Sequence, residues 1–175
     1  MRWEKITLRQ FQYIERVNAD PQYDAMDRTM HTACILFGHT ETTFGNVGLK
    51  KAQRLIKKTN QCFKRPCPEK PYNRIGRYCI DYDVDRLRFG QYVELTHFLQ
   101  GNIIDNASMI LASVAHLPLL KNKSEHHQRV SGYFLDQPIT KVVGSVKYVI
   151  EMFGIGISSD YRTSSLGSFV ASSSD

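Results

Sequence analysis

The chain has 175 residues, 42% of them hydrophobic and 23% charged, with a net charge of +6 and four cysteines. That length and balance fit one ordinary soluble domain, exclude disorder of the whole chain, and leave too little sequence for two sizeable cores. A membrane span is excluded because Asp105, Asn106 and His116 interrupt the most apolar stretch, and the start MRWEKITLRQ has no apolar signal core, which points to a protein kept in a cytoplasm.

In chain order, Thr7 begins a first helix, with Gln10 in the reciprocal capping position and Leu8, Phe11, Ile14 and Val17 as apolar contacts. Asn18 and Asp20 break it. Asp20-Pro21 then reads as the start of a second helix, in which Tyr23, Met26, Met30, Ala33 and Phe37 recur at steps of three and four until Gly38 stops it. The segment HTETTFGN is expected to be a loop or a short extended piece.

A third helix is predicted over residues 46–59, and here the basic charge is organised. Between residues 50 and 77 there are ten Lys or Arg and one acid, a net +9, while the remaining 13 basic and 16 acidic residues leave the rest at −3. Lys50, Lys51, Arg54, Lys57 and Lys58 fall at i, i+1, i+4, i+7 and i+8, which is one helix face, with Leu49, Ala52, Leu55 and Ile56 on the other sides. Such a face is either simply solvated or meets an acidic partner, nucleic acid or protein. Lys64, Arg65, Arg74 and Arg77 extend the basic candidates into CFKRPCPEKPYNRIGRY, whose prolines forbid a continuous helix and suggest an exposed basic insertion at about 60–77. Tyr72 and Tyr78 beside Arg74 and Arg77 suit stacking on bases and equally suit a protein interface. A short strand or hairpin is expected around Ile75 and Tyr78-Cys79-Ile80.

Residues 83–118 carry the strongest pattern in the chain. Tyr92, Val93, Leu95, Thr96, Phe98 and Leu99 read as a short amphipathic helix closed by Gly101. Ile103, Ala107, Ile110, Val114 and Leu117, widened by Ile104 and Leu111, form the apolar stripe of the next, capped by Asn102, with Asp105 in its first turn and Pro118 at its end. The tight Gly101-Asn102 link predicts an antiparallel helical hairpin. KNKSEHHQR follows as a polar loop, and Val130–Leu135 as a short helical or extended piece. Asp136 and Pro138 start a last helix over Ile139, Val142, Val146, Val149 and Phe153, backed by Val143 and Ile150. The expectation is a mainly α domain over residues 1–153, a compact bundle of five or six helices with at most a small β element near 72–83. A Gly/Ser-rich flexible arm is expected from 154 to 175.

The chemical candidates are sparse. Cys62 and Cys67 are a marginal zinc pair, and a second pair would have to come from Cys79, His97, His126 or His127, so no metal or cofactor is expected. Cys34 sits on an apolar helix face and reads as a core residue. Asp81, Asp83 and Asp85 alternate like a cation loop but lack its glycine and distal glutamate; they read as one solvent-facing side of a strand, with Asp83 or Asp85 as an alternative cap of the helix that follows. Gly45-Asn46-Val47-Gly48 reads as a turn and a cap, and His97 as a packing residue. Neither a nucleophile elbow nor a phosphate-cradling glycine loop is present, and an enzyme is the class least supported.

The run Tyr82-Asp83-Val84-Asp85, then Leu87-Arg88-Phe89-Gly90-Gln91-Tyr92-Val93-Glu94-Leu95, then Asn106 to Pro118 with its ILASVAHLP ending, resembles virion-associated or tail-assembly proteins of tailed bacteriophages, more narrowly of crAss-like phages of gut Bacteroidales. The first helices, the basic segment and the Ser-rich end are not covered by this resemblance, and it supplies no functional residues. It implies a non-enzymatic role. That role is either a minor structural or cargo protein of the virion near the portal and tail, or a tail-assembly chaperone absent from the finished particle. The implied partners are other phage structural proteins met as multiple copies in the host cytoplasm during assembly, with nucleic acid as a further partner of the basic face and no membrane.

Overall fold

Thr7 opens the first helix, α1 (Leu8–Ala19), by the predicted reciprocal cap: its hydroxyl accepts from the Gln10 backbone N–H at 3.2 Å, and the Gln10 side chain accepts from the Thr7 N–H at 3.1 Å. Replacing Thr7 by alanine should therefore lower stability by about 1 kcal/mol, read as a shift of the urea midpoint. The computed structural model describes residues 2–117 and 127–153. Pro118 as a helix stop, most of the KNKSEHHQR loop including His126, and the expected arm from 154 onward lie outside the described residues.

The second helix, α2 (Ala25–Phe37), starts later than Asp20-Pro21 suggested. The Asp20 carboxylate instead accepts from the Gln22 N–H at 2.9 Å, closing a turn two residues on, and Asp24 caps the helix through Met26 and Asp27. The inward face is Thr32, Ala33, Cys34 and Leu36, whereas Met26 is 65% exposed. Cys34 is the core residue expected, and Gly38 ends the helix at φ +67°.

HTETTFGN is not extended. Thr40 and Thr43 cap one another and Glu41–Gly45 forms a short helix, α3, whose Phe44 is buried. α4 then runs over Leu49–Phe63, starting three residues and ending four residues later than predicted. Ala52, Leu55 and Ile56 pack with Ala33, Cys34 and Phe44 as a small second core, while Leu49, expected inward, is 74% exposed at the helix start.

After α4 the chain does not wander as a free loop. Residues 64–73 form a strap bolted to its surroundings. The Trp3 indole donates to the Arg65 carbonyl at 2.7 Å, Glu69 pairs with Lys147 at 2.6 Å, and the Tyr72 N–H donates to the Ser145 hydroxyl at 3.0 Å. The predicted hairpin follows: β1 (Arg74–Ile75) and β2 (Tyr78–Ile80) pair antiparallel around a turn whose Gly76 has φ +59°. A third strand, β3 (Ala115–His116), adds to β2 with Cys79 opposite His116. Residues 81–83 leave the sheet, because the Asp81 and Asp83 carboxylates accept from the backbone two residues on and start a 3-10 turn over Val84–Arg86.

The helical hairpin is present as α5 (Phe89–Leu99) and α6 (Ile103–Val114). Two side-chain bonds fix its antiparallel register: Asn106 to the Phe98 carbonyl at 2.8 Å, and Gln91 to the Ser113 carbonyl at 3.1 Å. Asn102 caps α6 as predicted. The stripe Ala107, Ile110, Leu111, Val114 is buried, but the helix stops at Val114, because Ala115 turns extended and joins the sheet. Of α5, only Leu95 and Leu99 are buried; Tyr92 and Val93, expected inward, share an exposed side with Phe89.

α7 (His127–Leu135) and α8 (Ile139–Met152) complete eight helices among the described residues. α8 buries Ile139, Val142, Val146 and Val149 as the spacing predicted. Asp136 does not start it; Pro138 occupies the cap and Asp136 pairs with Arg9 at 3.1 Å. The two ends of the described fold are sewn together here, since the Leu8 N–H donates to the Gln137 carbonyl and the Ile139 N–H to Ile6. No helix among the described residues is long and apolar enough to cross a membrane. The chain is mainly helical with one small antiparallel sheet, the class its periodicities predict.

Candidate functional site

α4 lies at the margin of the fold, packed on α2. At about 100° per residue, Lys50, Lys51, Arg54, Lys57 and Lys58 occupy an arc of roughly 120°, and Ala52, Leu55, Ile56, Thr59 and Cys62 occupy the opposite side. The five cations are all exposed, and Thr59 and Cys62 are buried. The helix contains no Asp or Glu that would compensate them at i+3 or i+4.

Charge elsewhere is handled differently. Arg9 pairs with Asp136, Arg16 with Asp105, Arg86 with Asp83 and Lys147 with Glu69, at 2.6 to 3.1 Å. Among the described residues, no ion pair or side-chain hydrogen bond engages any of the five α4 cations. Lys64 and Arg65 prolong the exposed set past the C-terminal end of α4, where cations also suit the helix dipole. Gln61 falls within the same arc and was missed, because the helix was expected to end two residues before it.

Arg74 and Arg77 stand apart from this face. They sit on the β1–β2 hairpin, and both are occupied. Arg74 donates to the Gly76 carbonyl at 3.0 Å, and the Arg77 guanidinium lies 5.0 and 5.2 Å from the ring centres of Tyr78 and Tyr133. Tyr78, considered for stacking on bases, is 1% exposed, with its ring against Tyr133 and Phe134. Tyr72 is half-buried, and its carbonyl accepts from the Tyr82 hydroxyl. These tyrosines build the fold and leave no free aromatic platform there.

The remaining candidates separate on geometry. Burial pushes the Cys67 thiol up to about 12 and moves Cys62 and Cys34 in the same direction, so these sulfurs stay protonated at neutral pH. No group of three or more His, Cys, Asp or Glu among the described residues is arranged to hold a metal. His97 is exposed against Phe98. Ser113, His127 and Glu94 do approach one another, which no sequence pattern announced. However, Ser113 Oγ at 3.1 Å and Glu94 at 3.9 Å both face the same ring nitrogen, Nε2. A proton relay needs the two on opposite ring nitrogens. Ser113 is also 1% exposed and donates to the Met109 carbonyl.

No protein-family model, curated protein or solved structure matches this chain.

Proposed function

We propose that this chain is a non-enzymatic, virion-associated bacteriophage protein, a minor structural or cargo component near the portal and tail, whose working surface is the cationic face of α4. The observation that carries the reading is that face: five exposed cations, unpaired among the described residues, on one side of a helix whose other side is packed. Their mutual repulsion costs a few tenths of a kcal/mol per neighbouring pair, and a polyanion relieves it. From Lys50 to Lys58 the face runs about 12 Å, comparable to three or four phosphates of one DNA strand at 3.4 Å per step. No aromatic side chain lies on the arc, so the contact favoured is with phosphates and independent of sequence. The phage setting rests on the resemblance of the α5–α6 region; the particle and its nucleic acid are where such a face and such a protein would meet.

Duplex DNA binding measured against salt tests the surface. Three or four phosphate contacts give a slope of about −3 in log K against log salt, and the double variant Lys50→Glu/Arg54→Glu should bind at least tenfold more weakly, while Arg74→Glu leaves binding nearly unchanged. Absent or salt-independent binding would sink the nucleic-acid reading and shift the partner to an acidic protein surface. Mass spectrometry of gradient-purified particles tests the setting. Presence at a fixed copy number supports a virion component; absence, with abundant protein in infected cells, favours a tail-assembly chaperone.

A further inference from the structure

Among the described residues, three of the exposed large hydrophobic side chains lie together on α5. Phe89, Tyr92 and Val93 fall at i, i+3 and i+4, and are 83%, 44% and 49% exposed. Such a cluster is the inward stripe of a helix with nothing described in front of it. Its size argues about what covers it. The three side chains present on the order of 400 Å², about half of the roughly 800 Å² per partner that a stable separate dimer needs. A tethered segment needs less, because its local concentration is already in the millimolar range.

The chain itself supplies a tether at the right end of the molecule. The Tyr148 ring on α8 lies 4.8 Å from that of Tyr82, just ahead of the 3-10 turn that leads into α5. The Asp81 N–H bonds the Val114 carbonyl, and Gln91 in the first turns of α5 bonds the neighbouring Ser113 carbonyl. The last turns of α8 and the start of α5 therefore share one end of the fold, and Phe153 leaves from there, packed on the main core. Beyond it the sequence holds 22 more residues, in which Leu166, Phe169 and Val170 repeat the i, i+3, i+4 spacing with no charged residue between Ser164 and Ser174. The 13 residues from Phe153 to Leu166 can span up to about 40 Å.

We propose that the apolar face of α5 is the docking site for residues 166–170 of the same chain, which cover Phe89, Tyr92 and Val93 through Leu166, Phe169 and Val170.

Photo-cross-linking in the full chain tests this. With Phe89→p-benzoylphenylalanine, the expected product is an intramolecular cross-link to peptides within 164–172 in the monomer band. It should fall at least fivefold when Phe169→Glu is added. The same probe at Met26, exposed on α2, should give none of these peptides. Cross-links that run instead to a second copy would overturn the proposal in favour of a self-interface. A folded monomer with no cross-link to the C-terminal peptides would overturn it in favour of an open face.

Discussion

Gly144→Ala should destabilise the protein by about 2–4 kcal/mol, although residue propensity alone predicts the opposite sign. Gly144 lies inside α8, where alanine is normally better by up to about 1 kcal/mol. Here the strap crosses directly over it. A Cβ at this position would collide with the Lys70 carbonyl oxygen and stand 2.6 Å from the carbonyl carbons of Glu69 and Lys70. These are backbone atoms and cannot rotate away, so the strap must lift. Lifting it strains the Tyr72–Ser145 hydrogen bond and the Glu69–Lys147 pair, which hold it on either side. The overpacking penalty of about 1–3 kcal/mol and the loosened anchors together outweigh the propensity gain. Gly132, in α7, is the internal control: nothing lies within 4 Å of its would-be Cβ. Gly132→Ala should leave stability unchanged or raise it by a few tenths of a kcal/mol. Urea unfolding of the two variants decides the matter by sign; a stabilised Gly144→Ala would refute the account of the strap.

The second large effect is a dependence of stability on pH carried by Glu15. Burial, with the Asp105 charge nearby as the smaller cause, raises its carboxyl from 4.5 to about 7, and one of its oxygens has no hydrogen-bond partner among the described residues. An unfolded chain releases this proton near pH 4.5, whereas the folded chain holds it until about pH 7. Between those values the folded state binds more protons, so stability falls as pH rises and stays low above pH 7. The full effect is of the order of 3 kcal/mol at 1.36 kcal/mol per pH unit, a ceiling that any water reaching the carboxylate reduces. Glu15→Gln removes the ionisation. It should be more stable than the parent at pH 8 by about 1–3 kcal/mol, nearly equal to it at pH 4.5, and flat where the parent declines. Thermal melts across that range provide the measurement. Equal slopes in parent and variant would show that Glu15 does not carry the dependence.

Local chemistry was legible wherever neighbours in sequence were enough to settle it. The Thr7–Gln10 cap, the Asn102 cap and the Gly38 stop each use partners within four residues, and each forms as read. The apolar periods of α6 and α8 named most of their buried aliphatic residues, since one face of each carries nearly all the large aliphatic side chains, while Ile103, Ile104 and Phe153 at the helix ends are only partly buried. The cationic face of α4 was legible for the same reason, because the helical repeat alone brings Lys50 to Lys58 to one side.

What only the tertiary structure decided depends on groups far apart in the chain. α5 is apolar on more than one side, so its sequence left open which residues turn inward; packing against α6 selects Leu95 and Leu99 and leaves Phe89, Tyr92 and Val93 outside. The stripe of α6 pointed past Val114, but an extended Ala115 gains a place in the sheet beside Ile80. The basic insertion read as free chain because its anchors, Trp3, Ser145 and Lys147, lie about 60 to 80 residues away. Arg74 and Arg77 looked equivalent to the α4 cations by charge. The hairpin turn and the ring of Tyr133, 56 residues beyond Arg77, make them part of the scaffold. Periodicity specifies which faces exist; only the meeting of those faces, through contacts no short window contains, determines which are buried and which are left exposed.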